Sequence, residues 1–308
     1  LLEEKMNIEQ KIAYNENQAN KYDWSPEWFD CFYFDAALVN AITTFQTEMG
    51  LTADGLCGPA TYRKKFTQRA ATGDYNAEWI IPEGKKYIVH DGNPIEIHWD
   101  KVILWTDEGG LSCKAGSYSD RSGKTPRSVE TFILHWDAAL SSPSCASILA
   151  KRNLSITYCI GNKGEVWQLL DSKHVAWHSG NYNSRSVGVE ISNAYYVDKY
   201  QSWYVKNGFG PRPIIQGATC HGVKMKPFLG FYPIQLEACA ALIEAVSRAM
   251  DIPLIVPETK YAVDPDVVNK RFSGVHAHYH CSRNKIDISG VDLSALIQRA
   301  KEIREENS

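Results

Sequence analysis

No stretch of this 308-residue chain is apolar for the roughly 18 consecutive residues that a membrane-spanning helix needs, so no such helix is expected. An excess of positive charge is missing too. The 33 Lys and Arg stand against 36 Asp and Glu, a formal net charge of -3. Nucleic-acid binding, which calls for a clustered basic face, has no electrostatic support. The 8 cysteines form no CxxC pair and no dense framework, which speaks against a disulfide scaffold and for free thiols kept in a reducing compartment. If a disulfide does form, Cys113 with Cys145 is the first pair to consider. The opening LLEEKMNIEQK lacks the basic-then-apolar pattern of a secretory signal and has no initiator Met. No internal repeat, heptad pattern or exposed apolar stripe is visible, and a monomer without membrane or nucleic-acid partners is the expectation.

What is present suffices for a substantial core: 44% hydrophobic residues and 9 Trp, in a length that suits one large domain or two smaller ones. The first 70 residues read as mostly helical. DAALVNAITTFQTEM, from Asp35 to Met49, sets Ala37, Leu38, Ala41, Ile42 and Phe45 at helical spacing, with Asp35 as N-cap and Gly50 at the stop. LTADGLCGPATYRKKF adds turns at Asp54-Gly55 and Gly58-Pro59 and a short closing helix. RAATGDYNAEW reads as a linker. KYIVH, IEIHW and KVILW read as strands, and a long polar loop, GGLSCKAGSYSDRSGKTPRS, follows.

From residue 129 strands and helices alternate. TFILHW is an apolar β-run, and SSPSCASILAKRN reads as a helix opened by Ser142 with Pro143 at its first position. SITYCIG and GEVWQLL form a hairpin across Asn162-Lys163-Gly164, and SVGVEIS is another strand. YPIQLEACAALIEAVSRAM is an amphipathic helix with Leu236, Ala240, Ile243 and Val246 on one stripe, and DLSALIQRAKEIREEN closes the chain. The fold class expected is α/β: a central mixed sheet flanked by helices over 129–308, a linker and β-rich extension over 71–128, and a small three-helix module over 1–70.

Two features carry chemistry. HAHYHCSRNKID packs three histidines, a cysteine, a lysine and an aspartate into residues 276–287, a mixture that core packing does not call for. His135 ends a buried strand, where a side chain can point into a cleft. Zinc hydrolases typically take three ligands from His, Asp, Glu or Cys and leave the fourth position for water. One His on a core strand could join one His and one Asp from the C-terminal loop. Strand parity cannot choose among His276, His278 and His280, which all share it. Glu190, inside the apolar strand SVGVEIS, is a carboxylate that needs a partner or a raised pKa.

Two resemblances follow from these motifs. FQTEMGLTADGLCGPAT resembles the second half of the peptidoglycan-binding domain 1 family, a three-helix wall-binding module. Residues 129–295, through FILHWDA, ITYCIGNKGEVWQLLD, HVAWHSG, SVGVEISN and HYHCSRNKIDISGVDL, resemble the type 2 N-acetylmuramoyl-L-alanine amidases, whose fold includes the phage lysozyme-type amidases and the peptidoglycan recognition proteins. That resemblance implies one zinc ion held by His135, His278 and Asp287, with His280 the competitor for the second position. It implies catalysis by Glu190 as proton carrier and Lys285 as stabiliser of the tetrahedral intermediate, and substrate contact by His178. Some relatives carry a catalytic Tyr at the position of Ile156. Tyr158, two residues on and on the same face by strand alternation, is the substitute to watch, and is expected at the substrate. The substrate implied is bacterial peptidoglycan, cut between N-acetylmuramic acid and L-alanine. The architecture suggests a phage endolysin held in the host cytoplasm until holin-dependent release, or a virion-associated protein. A recognition protein that binds muropeptide without cutting, and a structural virion component, remain the rivals.

Overall fold

The computed structural model describes residues 6–72, 84–121 and 128–307. The chain divides into two compact units, Leu1–Tyr75 and Asn76–Ser308. Most of the expected linker, from residue 73 on, and residues 122–127 of the polar loop lie outside the described residues.

The first unit is helical. Helix α1 (Ile8–Tyr22) opens on a reciprocal cap between Asn7 and Gln10, and a 3-10 turn follows at Pro26–Phe29. Helix α2 (Ala36–Glu48) is capped by Asp35, whose Oδ1 accepts from the Leu38 N–H at 3.0 Å. Its buried face carries Leu38, Ile42 and Phe45 as expected, with Val39 and Gln46 in place of Ala37. Helix α3 (Pro59–Thr72) closes the unit.

The turn between α2 and α3 shows why Phe45-Gln46 and Asp54-Gly55 occur together. The buried Gln46 carboxamide accepts from the Gly55 N–H at 2.8 Å. Its Nε2 lies 2.8 Å from Asp54 Oδ1 and 3.0 Å from both Leu56 O and Thr61 Oγ1. Asn15, wholly buried, clamps the same turn, donating to Gly55 O and accepting from the Cys57 N–H. Gly55 sits at φ +75°, and a Cβ there would lie 2.7 Å from Val39 Cγ1, so the turn needs glycine twice over.

The second unit begins with a hairpin of β1 (Tyr87–His90) and β2 (Asn93–Glu96), then β3 (Val102–Leu104) and β4 (Tyr118–Asp120). The second of these strands starts two residues before the apolar IEIHW run expected to form it and shares only Ile95 and Glu96 with that run. Next come β5 (Thr131–Trp136), α4 (Ser142–Lys151), β6 (Tyr158–Ile160), β7 (Val166–Gln168), β8 (His174–Ala176), a 3-10 turn at Gly180–Arg185, and β9 (Ser186–Ile191). Helix α4 starts one residue earlier than expected: Ser141 is the N-cap and Pro143 stands at the second helical position. After α5 (Val197–Lys206) come four two-residue strands, β10 (Ile214–Ile215), β11 (Thr219–Cys220), β12 (Val223–Lys224) and β13 (Phe228–Leu229). The unit ends with α6 (Pro233–Met250), α7 (Pro265–Val268), β14 (Gly274–Ala277), a 3-10 turn at His278–His280 and α8 (Leu293–Glu306).

A six-stranded sheet of order β14-β5-β9-β6-β7-β3 organises the unit. The four strands β14, β5, β9 and β6 are parallel, β7 runs against β6, and β3 is parallel to β7. Such a mixed sheet is the α/β class expected. One face, carrying Phe132, Leu134, Tyr158, Val187 and Val189, packs into the apolar core with α6, and α8 packs on α6 in turn. Helix α6 is therefore buried along ten consecutive residues, Ala238 to Ser247, rather than on one stripe. The opposite face presents Ile133, His135, Gly188, Glu190 and Cys159, since parallel register partners point the same way. All eight cysteines are free thiols, so Cys113 and Cys145 are not joined; the Cys113 Sγ lies 3.3 Å from Ile156 O.

The Gln46 hub gives a direct test of the first unit. Gln46→Ala strands the buried Gly55 N–H and removes the partner of Leu56 O, which should cost roughly 2–3 kcal/mol of that unit's stability. Denaturant unfolding of the whole chain, followed by fluorescence, should show an earlier transition for this variant. An unchanged curve would mean that water or a shifted neighbour replaces the carboxamide.

Candidate metal centre

Parallel pairing of β5 with β9 sets His135 beside Glu190, and pairing of β14 with β5 sets His276 beside Ile133. Beyond Ala277 the strand gives way to the 3-10 turn His278–His280, so the alternation that would put His276, His278 and His280 on one face stops. The three rings part company there. His278 turns toward His135. The His280 Nδ1 accepts from the Ala277 N–H at 3.1 Å and its Nε2 lies 2.8 Å from Thr259 O, so both its nitrogens are engaged. The buried His276 donates Nδ1–H to Ala277 O at 3.1 Å, and its Nε2 has no hydrogen-bond partner among the described residues. Cys281 Sγ stands 3.9 Å from His276 Nδ1 and joins no metal-binding group among the described residues.

Asp287 reaches the same point by a loop that folds back on the turn. The Tyr279 N–H donates to Asp287 O at 2.9 Å, and His221 Nε2 lies 2.6 Å from Lys285 O. His221 thus steadies the loop, a contact 64 residues away in sequence that no local pattern announces.

Three donor atoms meet: His135 Nδ1, His278 Nδ1 and Asp287 Oδ2. Nδ1 to Nδ1 is 2.9 Å, His278 to Asp287 is 2.9 Å, and His135 to Asp287 is 3.2 Å. A tetrahedral ion with bonds of about 2.0–2.1 Å sets its ligand atoms roughly 3.3 Å apart, so this triangle fits one with modest expansion. Two imidazoles and a carboxylate suit zinc and leave a fourth position for water or substrate. The electrostatics agree. Burial pushes the His135 imidazole down to about 4, so the ring is neutral near pH 7. Burial alone would raise the Asp287 carboxyl, but the facing His278 and His135 rings outweigh it and hold the group well below the usual carboxylate range. A carboxylate with a side chain only 13% exposed, set beside a His135 ring that burial holds neutral, is well placed to face a cation.

Glu190 is the one residue of β9 that is not buried, and it projects from the sheet face that carries His135. Lys285 is exposed on the loop two residues before Asp287, and its charge acts on His135. The structure thus brings Glu190 and Lys285 to the surroundings of the three donors.

Two expected substrate contacts are placed elsewhere. Tyr158 is wholly buried in the apolar core, its ring 6.2 Å from Phe132, on the sheet face opposite His135 and Glu190. The reason is a bend at Thr157, which breaks the alternation between Ile156 and Tyr158: the Ile156 side chain lies on the Gly188 face while Tyr158 does not. His178 lies behind His135 rather than in front of it. His178 Nδ1 is 2.9 Å from His135 Nε2, and its Nε2 is 3.3 Å from Ser186 Oγ, so neither ring nitrogen is left for a substrate. Burial, then the neighbouring His135 and His278, hold its pKa well below the ordinary value. Trp177 is half-buried and donates Nε1–H to Ser119 Oγ at 2.9 Å. The polar loop also has a structural role: Arg121 donates to Ser184 O and Ser186 O, both at 2.6 Å, bracing the turn that carries His178 toward β9.

The family model of N-acetylmuramoyl-L-alanine amidases matches residues 125–287, more than half of the chain, and a peptidoglycan-binding domain model matches residues 29–64. A search of curated proteins found no match. Among solved structures, the Staphylococcus aureus hydrolase AmiA is similar at 11% identity and TM-score 0.39, over 67% of this chain and 84% of its own. The Ph2119 endolysin of a Thermus scotoductus bacteriophage is similar at 12% identity and TM-score 0.37, over 65% and 98%. The amidase LysC of Clostridium intestinale is similar at 10% identity and TM-score 0.33, over 66% and 97%.

The placement of the three C-terminal histidines generates a clear expectation. Metal content of the purified chain, measured by mass spectrometry, should be close to one divalent ion. His278→Ala should abolish it and His280→Ala should retain it. The reverse pattern would transfer the site to His280.

Proposed function

Because the chain belongs to the N-acetylmuramoyl-L-alanine amidase family, we propose that it hydrolyses the amide between N-acetylmuramic acid and L-alanine in bacterial peptidoglycan. One zinc ion would be held by His135, His278 and Asp287. The single observation that carries this reading is the triangle of donor atoms 2.9–3.2 Å apart on the sheet face that also presents Glu190. Bound there, zinc lowers the pKa of water toward 7 and polarises a carbonyl oxygen.

The chain's own residues supply the rest. An amide needs a base for the attacking water and an acid for the departing amine. Glu190, half-buried and fixed by strand pairing to the level of His135, would take the water's proton and return it to the leaving nitrogen. The β9 backbone holds it without a flexible loop, which keeps the carboxylate in one geometry through both transfers. Lys285 would face the oxyanion of the tetrahedral intermediate, where a positive charge strengthens as the negative charge develops. Being exposed, its ammonium group is accessible to a substrate.

The region matched by the peptidoglycan-binding model supports a role in holding the enzyme to the wall. Two large aromatic side chains there, Phe32 and Tyr33, stand 80% and 74% exposed. Such rings offer apolar faces to sugars. This pairing of modules fits a wall-lytic enzyme of the phage endolysin kind, acting after holin-dependent release, or one carried on a virion.

The test is amide cleavage on purified sacculi, read as newly released amino groups with and without chelator. Chelation should stop the reaction and added zinc should restore it. Glu190→Gln should keep its zinc and its fold, because the amide is nearly isosteric, yet lose at least about 100-fold in turnover. Near-normal turnover in that variant would make Glu190 structural. An intact chain that holds zinc and binds sacculi but releases no amine would make the protein a recognition module.

A further inference from the structure

The two ring nitrogens of His135 have different tasks. Its Nδ1 faces His278 and Asp287, so as a metal ligand it must carry a lone pair there. The proton of the neutral ring is then on Nε2. That atom points at His178 Nδ1, 2.9 Å away, with the two rings edge to face at 87°. His178 must accept with Nδ1, so its own proton lies on Nε2. This donates to Ser186 Oγ at 3.3 Å. The Ser186 hydroxyl in turn donates to Tyr182 O at 2.8 Å, a backbone oxygen that can only accept. From that carbonyl inward, each group's role is forced, and the last one leaves His135 Nδ1 unprotonated.

Several independent features hold His178 in place. Asn183 Oδ1 accepts from the His178 N–H at 3.1 Å and from the Ser179 N–H at 2.7 Å. Arg121 ties down Ser184 O and Ser186 O at the C-terminal end of the same turn. Gly188 in β9 leaves the space the ring occupies: a Cβ there would lie 2.6 Å from His178 Cε1 and 2.7 Å from its Nδ1. That accounts for a glycine in the middle of a buried central strand, where it otherwise weakens the strand.

We propose that His178 is a positioning residue that fixes the tautomer and orientation of His135 through a one-way hydrogen-bond relay, His135 to His178 to Ser186 to Tyr182 O. Ligand histidines generally need such a partner on the second nitrogen, and losing it typically lowers metal affinity about 10- to 100-fold. Here the partner is another neutral histidine, which can accept only because Ser186 takes its proton side.

This rests on His135 being a metal ligand, and the experiment separates the two. The probe is Co²⁺, bound to the whole chain after zinc removal and followed by its visible absorption and by chelator competition. His178→Phe keeps a ring but has no acceptor. It should weaken Co²⁺ binding about 10- to 100-fold and alter the absorption bands. His178→Gln, whose carboxamide can accept from His135 and donate to Ser186, should recover most of the affinity. Ring ¹⁵N spectra of the unsubstituted, metal-loaded chain supply a reading that needs no variant: His178 should carry its proton on Nε2. Co²⁺ affinity and absorption unchanged in folded His178→Phe, or a proton on His178 Nδ1, would overturn the relay while leaving the metal site standing. Failure of the unsubstituted chain to bind Co²⁺ or zinc at all would overturn both.

Discussion

The second unit is arranged around one electrostatic demand: the Asp287 carboxylate is held against two imidazoles in a space mostly closed to water. A buried carboxylate without a counter-charge is costly, and a ring driven neutral by burial cannot supply one. A divalent cation would resolve this, making three groups that are awkward neighbours the ligands of one centre. The surrounding elements of the fold deliver these three atoms. A six-residue parallel strand pair levels His135 with Glu190, and a 3-10 turn swings His278 inward. The backbone hydrogen bond from Tyr279 to Asp287 closes the loop between the last two donors.

The apolar face of the same sheet makes that delivery rigid. With α6 buried along its middle, the strands cannot shift without disturbing the core, so the opposite face of the sheet inherits core-like order. The polar segments that look unremarkable in sequence do comparable work on the side of the donor atoms. Arg121, Asn183 and His221 each satisfy backbone groups of the loops that carry His178 or Asp287. Chemistry is thereby placed on strands and short braced turns, where small displacements are resisted.

Much of this was legible in the residues. Asp35 as a cap, the Asp54-Gly55 turn, the run TFILHW and the acid within SVGVEIS each follow from local rules that the structure obeys. What stayed hidden depended on where regular structure stops. Parity arguments for the three C-terminal histidines and for Tyr158 assumed strands that continue. A 3-10 turn after Ala277 and a bend at Thr157 ended that assumption, sending His280 to Thr259 and Tyr158 into the core. Helix α6 looked one-sided because its small residues, Ala238, Ala241 and Ala245, carry little hydrophobic signal yet allow close packing all round. His178 was readable as part of the site but not as a partner of His135. That pairing spans 43 residues and depends on the gap left by Gly188.

The central claim is that His135, His278 and Asp287 coordinate zinc without help from a cysteine. Zinc K-edge X-ray absorption on the metal-loaded chain tests it most directly. The spectrum should fit nitrogen and oxygen scatterers at about 2.0–2.2 Å, with the outer-shell features of two imidazoles and no sulfur. A sulfur scatterer near 2.3 Å would bring Cys281 into the site and contradict the coordination proposed. A third imidazole in place of the carboxylate would do so as well.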